Sequence, residues 1–512
     1  MEPPLVLDRG AGQPLTVQIT GQLRAAVAGG RLRAGERLPS TRALAASLGV
    51  SRTVVTNAYL QLFAEGWLEA RHGSGTYVAA GAAGAPAAAG GPRTATAPRA
   101  PSGPGIAAGS RTAGVPDVAA RPPRPIGPPP PRDGRQHRPP PEAVDVHIDA
   151  LGSGPGLTEL RPGVPWSAGI DPAAWRRAWR QAAAAPPSLW PDPRGLPALR
   201  AALAGHLRRT RGLDCTPGHI LITRGVASGL ALLAAALLKP GERAGLEDPG
   251  YPAARAILAA RGATVLPCPV DAHGLITGDL PGDLRLMYVT PAHQYPLGGR
   301  LPVPRRQALV AWARAAGAIV AEDDYDSEFR YDVAPLPALY GLDPDVVAYL
   351  GTTSKALTPG FGIGWLVARL DLIGLLADQR DSLADRTNEA SQRALLALIT
   401  SGDLDRHVRR MRREYARRRD AIVSALGDPA VPARLLGDTA GLHVVLEPRR
   451  GSADAVAAAA RERGVAVHTL RRYFAGRPSA DGLVLGYGGL PLASVAAAAA
   501  VLRDVLLDLP AR

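Results

Sequence analysis

The chain has 512 residues, of which 46% are hydrophobic and 20% charged, a composition typical of folded globular proteins rather than of fibrous or disordered ones. Its formal net charge of +14 favours polyanionic partners such as nucleic acid. Two cysteines are too few for a disulfide framework, and there is neither an unbroken apolar run of membrane-spanning length nor a signal pattern, so we expect a cytoplasmic protein with no membrane partner.

The first predicted unit covers residues 12–78. VQITGQLRAAVAGG has helical spacing, STRALAASLG predicts a helix with a Ser/Thr cap and a final Gly, and VSRTVVTNAYLQLFAEG predicts a further capped helix. WLEARHGSGTYVAA then predicts two short strands around Gly73-Ser74-Gly75. Two short helices joined by a Gly turn and followed by a β-wing indicate a winged helix-turn-helix, whose second helix would lie in the major groove of DNA.

This unit resembles the GntR family of bacterial regulators, since LRAGERLPSTRALAASLGVSRTVVTNAYLQLFAEGWLEARHGSGTYV follows the family pattern over nearly the whole domain. The resemblance implies binding to double-stranded operator DNA. Arg52 can donate two hydrogen bonds to guanine, and neighbouring hydroxyls can reach phosphates or bases. By position, the DNA-contact candidates are Arg42, Ser51, Arg52, Thr53, Thr56 and, in the wing, Gly73. Pairing of Arg42 with an acid and simple solvation of Thr56 are alternatives that stay open.

Residues 79–143 differ in composition from everything else in the chain. AGAAGAPAAAGGPRTATAPRAPSGPGIAAG and PPRPIGPPPPRDGRQHRPPPEA are rich in Pro, Gly and Ala and lack apolar periodicity. Such composition predicts a linker with flexible and stiffer polyproline parts. A linker of this length would allow the N-terminal unit to reach a partner subunit, so a homodimer with swapped domains is compatible with it.

Residues 144–512 alternate apolar strands with Ala- and Leu-rich helices. The predicted strands are HILIT, RAGLED, TVLPC, LRLMYVTP, GAIVAEDD and VVAYLG, and the predicted helices include LALLAAALL, PAARAILAARG and RRQALVAWARAAG. Alternation of this kind predicts a mainly parallel sheet covered by helices on both faces. Ligands of such sheets bind at the carboxyl ends of the strands.

One lysine at such a strand end stands out. Of the 59 basic residues only Lys239 and Lys355 are lysines, and the rest are arginines. An amine can form a Schiff base with a carbonyl group, whereas a guanidinium cannot. Lys355 follows VVAYLG, Asp323 ends GAIVAEDD, and Tyr325 comes two residues later. Lys239, in the turn LLKPGE, shows that a lysine here can also be incidental.

A pyridoxal phosphate site needs a lysine, an acid for the pyridine nitrogen, a donor for the ring oxygen and a phosphate cradle. PDPRGLPALRAAL, LITRGVASGLALLA, EDPGYP, TPAHQYPLGG, EDDYDSEFRY and GTTSKALTPG occur in the order typical of fold-type I aminotransferases, which the region resembles over essentially all of 144–512. With the GntR-type unit in front, the chain resembles the MocR subfamily of transcription regulators. The implied fold is multidomain: a winged helix-turn-helix plus an α/β aminotransferase-like domain for effector binding and dimerisation.

The resemblance implies a role for each residue of the site. Lys355 would hold pyridoxal 5'-phosphate covalently, Asp323 would pair with the protonated pyridine nitrogen, Tyr325 would donate to the ring oxygen and Tyr251 would stack on the ring. The phosphate candidates are Gly225, Val226, Ala227 and Thr352, since Gly225-Val226-Ala227 opens a helix. Asp324, Asp326 and Glu328 compete with Asp323, and we expect them to be plain loop acids; Tyr251 could instead be an ordinary turn aromatic.

Several positions depart from the family pattern. Gly362 stands where the family has an arginine that clamps the phosphate, seven residues after the lysine, and Trp190 replaces the tyrosine that reaches the neighbouring subunit. Tyr295 stands where aminotransferases have an Asn that contacts the ring, with Gln294 before it. GLVLGYGGL lacks the strand arginine that grips a substrate carboxylate, for which Arg471 and Arg472 are only nearby candidates.

We therefore expect a DNA-binding regulator that senses pyridoxal 5'-phosphate, or an amino compound through it, and controls genes of vitamin B6 or amino-compound metabolism. No catalytic residue and no metal site is expected. Two alternatives stay open: an active pyridoxal phosphate-dependent aminotransferase, and a regulator whose sensor domain has lost the cofactor.

Overall fold

The computed structural model describes residues 5–10, 13–71, 75–79, 156–333 and 336–510. The linker predicted at 79–143 therefore lies outside the described residues apart from Ala79, and Gly73 of the wing lies outside them too. None of the helices within these ranges has both the length and the apolar character that crossing a membrane requires.

The N-terminal unit, here called the winged unit, has three helices and a two-stranded wing. They are α1 (Leu15–Ala28), α2 (Thr41–Leu48), α3 (Arg52–Glu65), β1 (Leu68–Arg71) and β2 (Gly75–Val78), and the strands pair antiparallel. Ser40 caps α2 by accepting a hydrogen bond from the backbone N–H of Ala43 at 3.1 Å, and Gly49 ends that helix with φ of 62°. The predicted helices and wing strands are confirmed, and α1 and α3 pack together through residues such as Leu23 and Val55.

The rest of the described chain alternates strands and helices. Up to residue 324 the elements are β3 (Thr158–Glu159), α4 (Pro172–Ala184), α5 (Pro197–Arg211), β4 (Ile220–Thr223), α6 (Val226–Leu237), β5 (Arg243–Asp248), α7 (Pro252–Ala260), β6 (Thr264–Asp271), β7 (Gly274–Leu275), β8 (Leu284–Val289), α8 (Val303–Ala316) and β9 (Ile319–Asp324). After residue 346 they are β10 (Val347–Thr352), β11 (Gly364–Val367), α9 (Leu370–Ser382), α10 (Glu389–Thr400), α11 (Asp403–Leu426), β12 (Ala433–Leu436), β13 (His443–Pro448), α12 (Ala453–Glu462), β14 (Val465–Ala466), β15 (His468–Thr469), β16 (Leu483–Gly486) and α13 (Leu492–Asp508).

An eight-stranded sheet with the order β4-β11-β10-β9-β8-β5-β6-β7 forms the centre of this region. The neighbours from β10 to β6 run parallel, whereas β11 is antiparallel to β10 and β4, and β7 is antiparallel to β6. Strands β9 and β10 are buried along their whole length, as expected where helices cover both faces. The predicted mainly parallel sheet is confirmed, and because β9 and β10 are parallel neighbours their carboxyl ends lie side by side.

A second, antiparallel sheet with the order β12-β13-β16-β15 follows in the chain. Helices α11, α12 and α13 cover it, and Tyr415, Val456 and Leu502 share one buried apolar cluster with Leu446 and Leu485. The short strand β3 pairs with β14. This pairing holds in place the segment that leads from β3 to Gly163. Gly163 in turn reaches the candidate cofactor site.

Candidate cofactor site and DNA interface

Lys355 lies three residues beyond the end of β10, at the edge where the parallel strands end. Its Nζ donates to the backbone carbonyl of Gly163 at 2.5 Å. A Cβ at position 163 would stand 2.9 Å from that nitrogen, and Gly163 has φ of 75°, so this approach requires glycine. Burial lowers the pKa of Lys355, while the charges of Asp326 and Asp323 oppose the shift. A lowered pKa increases the fraction of neutral amine, the form that attacks a carbonyl carbon.

Asp323 presents a buried carboxylate with one unsatisfied oxygen. The hydroxyl of Tyr288 donates to Oδ2, and Oδ1 has no hydrogen-bond partner in the part of the chain that the structure describes. Burial raises the pKa of Asp323 to about 7, although the Tyr288 hydrogen bond lowers it. A buried carboxylate oxygen without a partner is costly unless something donates to it. The N–H of a protonated pyridine ring is such a donor, so this residue fits the expected cofactor.

Asp324, the adjacent rival, is engaged elsewhere. Its Oδ2 lies 2.5 Å from Nη2 of Arg211 and accepts the hydroxyl of Tyr349 at 2.6 Å, and the side chains of Asp324 and Arg211 are each only 3% exposed. Successive residues of a strand point to opposite faces, so Asp323 and Asp324 cannot serve the same site. The expectation that Asp324 is a plain loop acid is wrong, because it ends a strand and forms a buried ion pair.

Tyr325 belongs to a buried polar cluster that the sequence did not reveal. Its hydroxyl lies 2.9 Å from Nδ1 of His293, and the same nitrogen lies 2.9 Å from Oδ2 of Asp326. When Nδ1 carries a proton and donates it to Asp326, it cannot accept the Tyr325 proton, which is then available for an acceptor in the site. Asp326 is therefore not the loop acid that was expected, since it is 2% exposed and orients His293.

Aromatic rings form the wall of the site. Tyr295 packs edge-on against Tyr251, Tyr325 and Tyr473, with ring centroids 5.9, 5.8 and 5.4 Å away. Burial raises the pKa of Tyr251, and the charge of Asp323 adds to the shift. Gln294, in contrast, is a structural residue whose Nε2 donates to the carbonyl of Pro249 at 2.9 Å. The wall offers flat surfaces to a planar ring.

The phosphate candidates converge at the start of α6. Gly225 precedes the helix with φ of 119°, and a Cβ on it would lie 3.7 Å from Oγ1 of Thr352. The first backbone N–H groups of a helix, here those of Val226 and Ala227, have no intrahelical acceptor and suit an anion. Ser354, which was not predicted, adds a hydroxyl 2.9 Å from that of Thr352.

Gly362 and Trp190, two departures from the family pattern, have different surroundings in the structure. Gly362 has φ of 64° and open space where a Cβ would be, so its backbone favours glycine there. Trp190 is 91% exposed in the loop between α4 and α5, next to Leu189 at 88%. Arg471 and Arg472 are both exposed, and Arg471 lies 4.0 Å from Asp454.

The predicted DNA-contact residues of the winged unit cluster at the start of α2 and α3. Arg42, Ser51, Arg52 and Thr53 are exposed, and Thr56 is half-buried. Ser51 precedes α3 without capping it through its side chain, and Nε of Arg52 lies 3.4 Å from Oγ1 of Thr41. This end of α3 thus presents hydroxyls and a guanidinium to solvent, as a helix that enters the major groove would.

Comparisons with known proteins agree with both halves of this description. The pattern of the bacterial regulatory proteins of the gntR family matches residues 15–78, and that of aminotransferase class I and II matches residues 164–479. A winged helix-turn-helix joined to an aminotransferase-type domain defines a class of transcription regulators in which the second domain is an aminotransferase-like sensor.

Full-length relatives identify the family. The chain is 37% identical to the HTH-type pyridoxine biosynthesis transcriptional regulator PdxR of Corynebacterium glutamicum over 95% of this chain and 94% of that one. It is 34% identical to MocR of Rhizobium meliloti, named as a rhizopine catabolism regulatory protein, over 95% and 92%. The chain belongs to the MocR-type GntR family of transcription regulators.

Solved structures support the fold of the second domain. An archaeal alanine:glyoxylate aminotransferase matches with a TM-score of 0.63 and 24% identity, over 69% of this chain and 91% of that one. Aspartate aminotransferase of Thermus thermophilus with maleate matches with a TM-score of 0.61 and 23% identity, over 69% and 92%. The central sheet and the second sheet thus form a fold-type I aminotransferase fold, a fold family that normally binds pyridoxal phosphate.

Proposed function

We propose that this regulator binds pyridoxal 5'-phosphate covalently at Lys355 and that the bound cofactor changes its affinity for operator DNA. The observation that carries the proposal is that one edge of the sheet holds both the partly buried amine of Lys355, whose pKa is lowered, and the carboxylate of Asp323, whose Oδ1 lacks a donor in the described part of the chain. The cofactor would supply an aldehyde for the amine and a ring N–H for that oxygen. Tyr325, Tyr251 and the start of α6 would hold the ring oxygen, the ring face and the phosphate.

A route from the site to the winged unit supports the regulatory part of the proposal. Val303, the first residue of α8, is 5% exposed and belongs to the apolar core of the winged unit. Val303 lies against Gly66 at the end of α3. A Cβ on Gly66 would stand 3.4 Å from the backbone nitrogen of Val303. Helix α8 leads into β9, which carries Asp323. Helix α8 and strand β9 therefore connect the cofactor site with the winged unit. A ligand can change DNA binding through them only if its affinity differs between two arrangements of the protein.

The exposed loop of Leu189 and Trp190 supports assembly as a homodimer. Two large apolar side chains that are about nine-tenths exposed are unusual on a monomer and are typical of a protein interface. A second copy of the chain would cover them, and a symmetric dimer would present two winged units to two half-sites in the operator. The linker predicted at 79–143 would let each winged unit reach either subunit.

Relatives suggest what is regulated. One of them is named for pyridoxine biosynthesis, so we propose that the operator lies before genes that make vitamin B6 or use amino compounds, and that the protein acts in the cytoplasm. A gel-shift assay with the intergenic DNA next to this gene tests that choice. Equal affinity for this DNA and for unrelated DNA of the same length would contradict it.

A trapping experiment tests cofactor capture directly. The chain has only two lysines, so reduction with borohydride after incubation with pyridoxal 5'-phosphate should add one cofactor mass to the peptide that contains Lys355. Lys355→Ala should abolish this adduct, and the matched variant Lys239→Ala should keep it, since the turn of Lys239 has no such site. Equal labelling of Lys239 and Lys355, or labelling that survives in Lys355→Ala, would contradict the proposal.

Aminotransferase activity is the second candidate, favoured by the fold and the lysine. Against it, β16 (Leu483–Gly486) and the residues Tyr487-Gly488-Gly489 after it contain no arginine for a substrate carboxylate, and Gly362 supplies none for the phosphate. Conversion of the bound cofactor to its amine form by an amino acid at enzyme-like rates would favour the enzyme over the sensor.

A further inference from the structure

Helix α11 carries eight arginines, and all of them except Arg419 divide into two groups. Those on its inner face have protein acceptors: Arg410 donates to the carbonyl of Gly169 at 2.6 Å, Arg412 to that of Glu328 at 2.9 Å and Arg418 to that of Gly488 at 2.6 Å. Arg418 also lies over the ring of Trp166, with its guanidinium carbon 4.4 Å from the ring centroid. Folding alone accounts for these arginines.

The outer face carries four exposed arginines: Arg406, Arg409, Arg413 and Arg417. We call this set the arginine stripe, because spacings of three and four residues place its members along one side of a helix. At 1.5 Å per residue the stripe is about 16 Å long. Arg406 pairs with Asp403 at 2.6 Å and Arg417 lies 3.9 Å from Glu414. The middle two, Arg409 and Arg413, have no acceptor within the ranges that the structure describes.

Such a row has an energetic cost, which ion pairs with neighbouring acids offset only at the two ends of the stripe. Arg409, Arg413 and Arg417 stand four residues apart, and like charges at that spacing destabilise a helix. A groove of about 530 Å³ opens beside the second half of the stripe, and its lining includes Arg413, Arg417, Arg410, Trp166 and the acid Glu414. Cations arranged along an open groove are explained by an extended polyanion better than by a small counter-ion.

We propose that the arginine stripe binds the phosphate backbone of DNA beside the sequence that the winged unit recognises. Each DNA strand carries one phosphate per ~3.4 Å of helix axis, so a stripe of about 16 Å lies along four or five phosphates of a strand. The aminotransferase-like domain then adds affinity that does not depend on sequence, and its orientation on the DNA becomes part of the regulatory complex. This role requires neither the cofactor nor Lys355.

The test uses the full chain with Arg409→Gln and Arg413→Gln combined. The matched control is Arg449→Gln with Arg450→Gln, which removes the same charge from exposed residues after β13. Affinity for operator DNA and for unrelated DNA of equal length is measured over a range of salt concentrations. The stripe variant should reduce the magnitude of the slope of log K against log salt by about 2 for each subunit whose stripe contacts the DNA, on both DNAs, because each lost phosphate contact changes that slope by ~0.9. The ratio of the two affinities should stay unchanged.

Other outcomes would overturn the proposal. An unchanged slope in the stripe variant means that these arginines do not meet phosphates, and an equal loss in the control pair means that net charge alone matters. A change of assembly state in sedimentation without a change of slope assigns the stripe to a protein interface. Failure of operator recognition itself can be told apart from failure of this proposal. It would appear in the ratio of the wild-type affinities for operator DNA and unrelated DNA, and the stripe does not set that ratio.

Discussion

Replacing Asp323 with Asn removes an acid whose protonation the fold controls. Burial raises the pKa of Asp323 from an ordinary 3.8 to about 7. Because the folded-state pKa of Asp323 is raised, its protonated carboxyl favours the folded state. This contribution to stability is fully present below the pKa of the unfolded chain and is lost as the pH rises towards 7. In that window the free energy of unfolding falls by roughly 1.4 kcal/mol per pH unit. The cofactor-free wild type should therefore lose about 2 kcal/mol relative to Asp323→Asn between about pH 5 and pH 7.

Urea unfolding followed by tryptophan fluorescence measures this difference at a series of pH values. Glu247, Glu322 and Glu328 also have pKa values raised to about 7 by burial, but both proteins contain them, so their contribution cancels. With pyridoxal 5'-phosphate bound, the ionised form of Asp323 would accept a hydrogen bond from the ring N–H. The wild type should then no longer lose stability relative to Asp323→Asn between pH 5 and pH 7. A difference between wild type and variant that stays constant from pH 5 to pH 7 would refute the argument, because Asp323 would then be ionised over the whole range although Oδ1 lacks a donor.

Three further predictions address other parts of the molecule. Arg52→Ala should weaken operator binding by ~1–3 kcal/mol and relax preference at one base pair in a binding-site selection assay; uniform loss on all sequences would make Arg52 a phosphate contact instead. Gly441→Ala should destabilise the protein by about 2 kcal/mol or more in urea, since its Cβ would stand 2.2 Å from Cε1 of His293 at φ of 75°, whereas Gly278→Ala, with open space, should change little. Trp190→Ser should shift sedimentation from dimer to monomer without loss of fold, and an unchanged dimer would remove this loop from the interface.

The elements were predictable from the sequence where local signals were strong. Caps at Ser40 and Gly49 mark α2, and short apolar stretches mark the six predicted strands of the central sheet. Lys355 and Asp323 were singled out because each follows or ends such a run. What the pattern does not contain is the order of strands in the sheet, which makes β9 and β10 neighbours and brings the two residues to the same edge of the sheet.

The buried polar partners were not predictable because they depend on contacts between distant segments. Asp326 looks like a loop acid until His293, from the loop after β8, is placed against it. Asp324 looks like a rival to Asp323 until Arg211 at the end of α5 is seen to pair with it. A signal for His293 existed in TPAHQYPLGG, where this histidine directly precedes Gln294 and Tyr295.

The central claim is that cofactor capture at Lys355 changes DNA binding. Operator affinity should be measured with and without pyridoxal 5'-phosphate for the wild type, Lys355→Ala and the control Lys239→Ala, with visible absorbance reporting bound cofactor. We expect the cofactor to change the affinity of wild type and control by roughly 5- to 150-fold, the usual range of coupling between two sites, and to leave Lys355→Ala unchanged. A wild type that binds the cofactor yet holds its operator with the same affinity in both conditions would contradict the account.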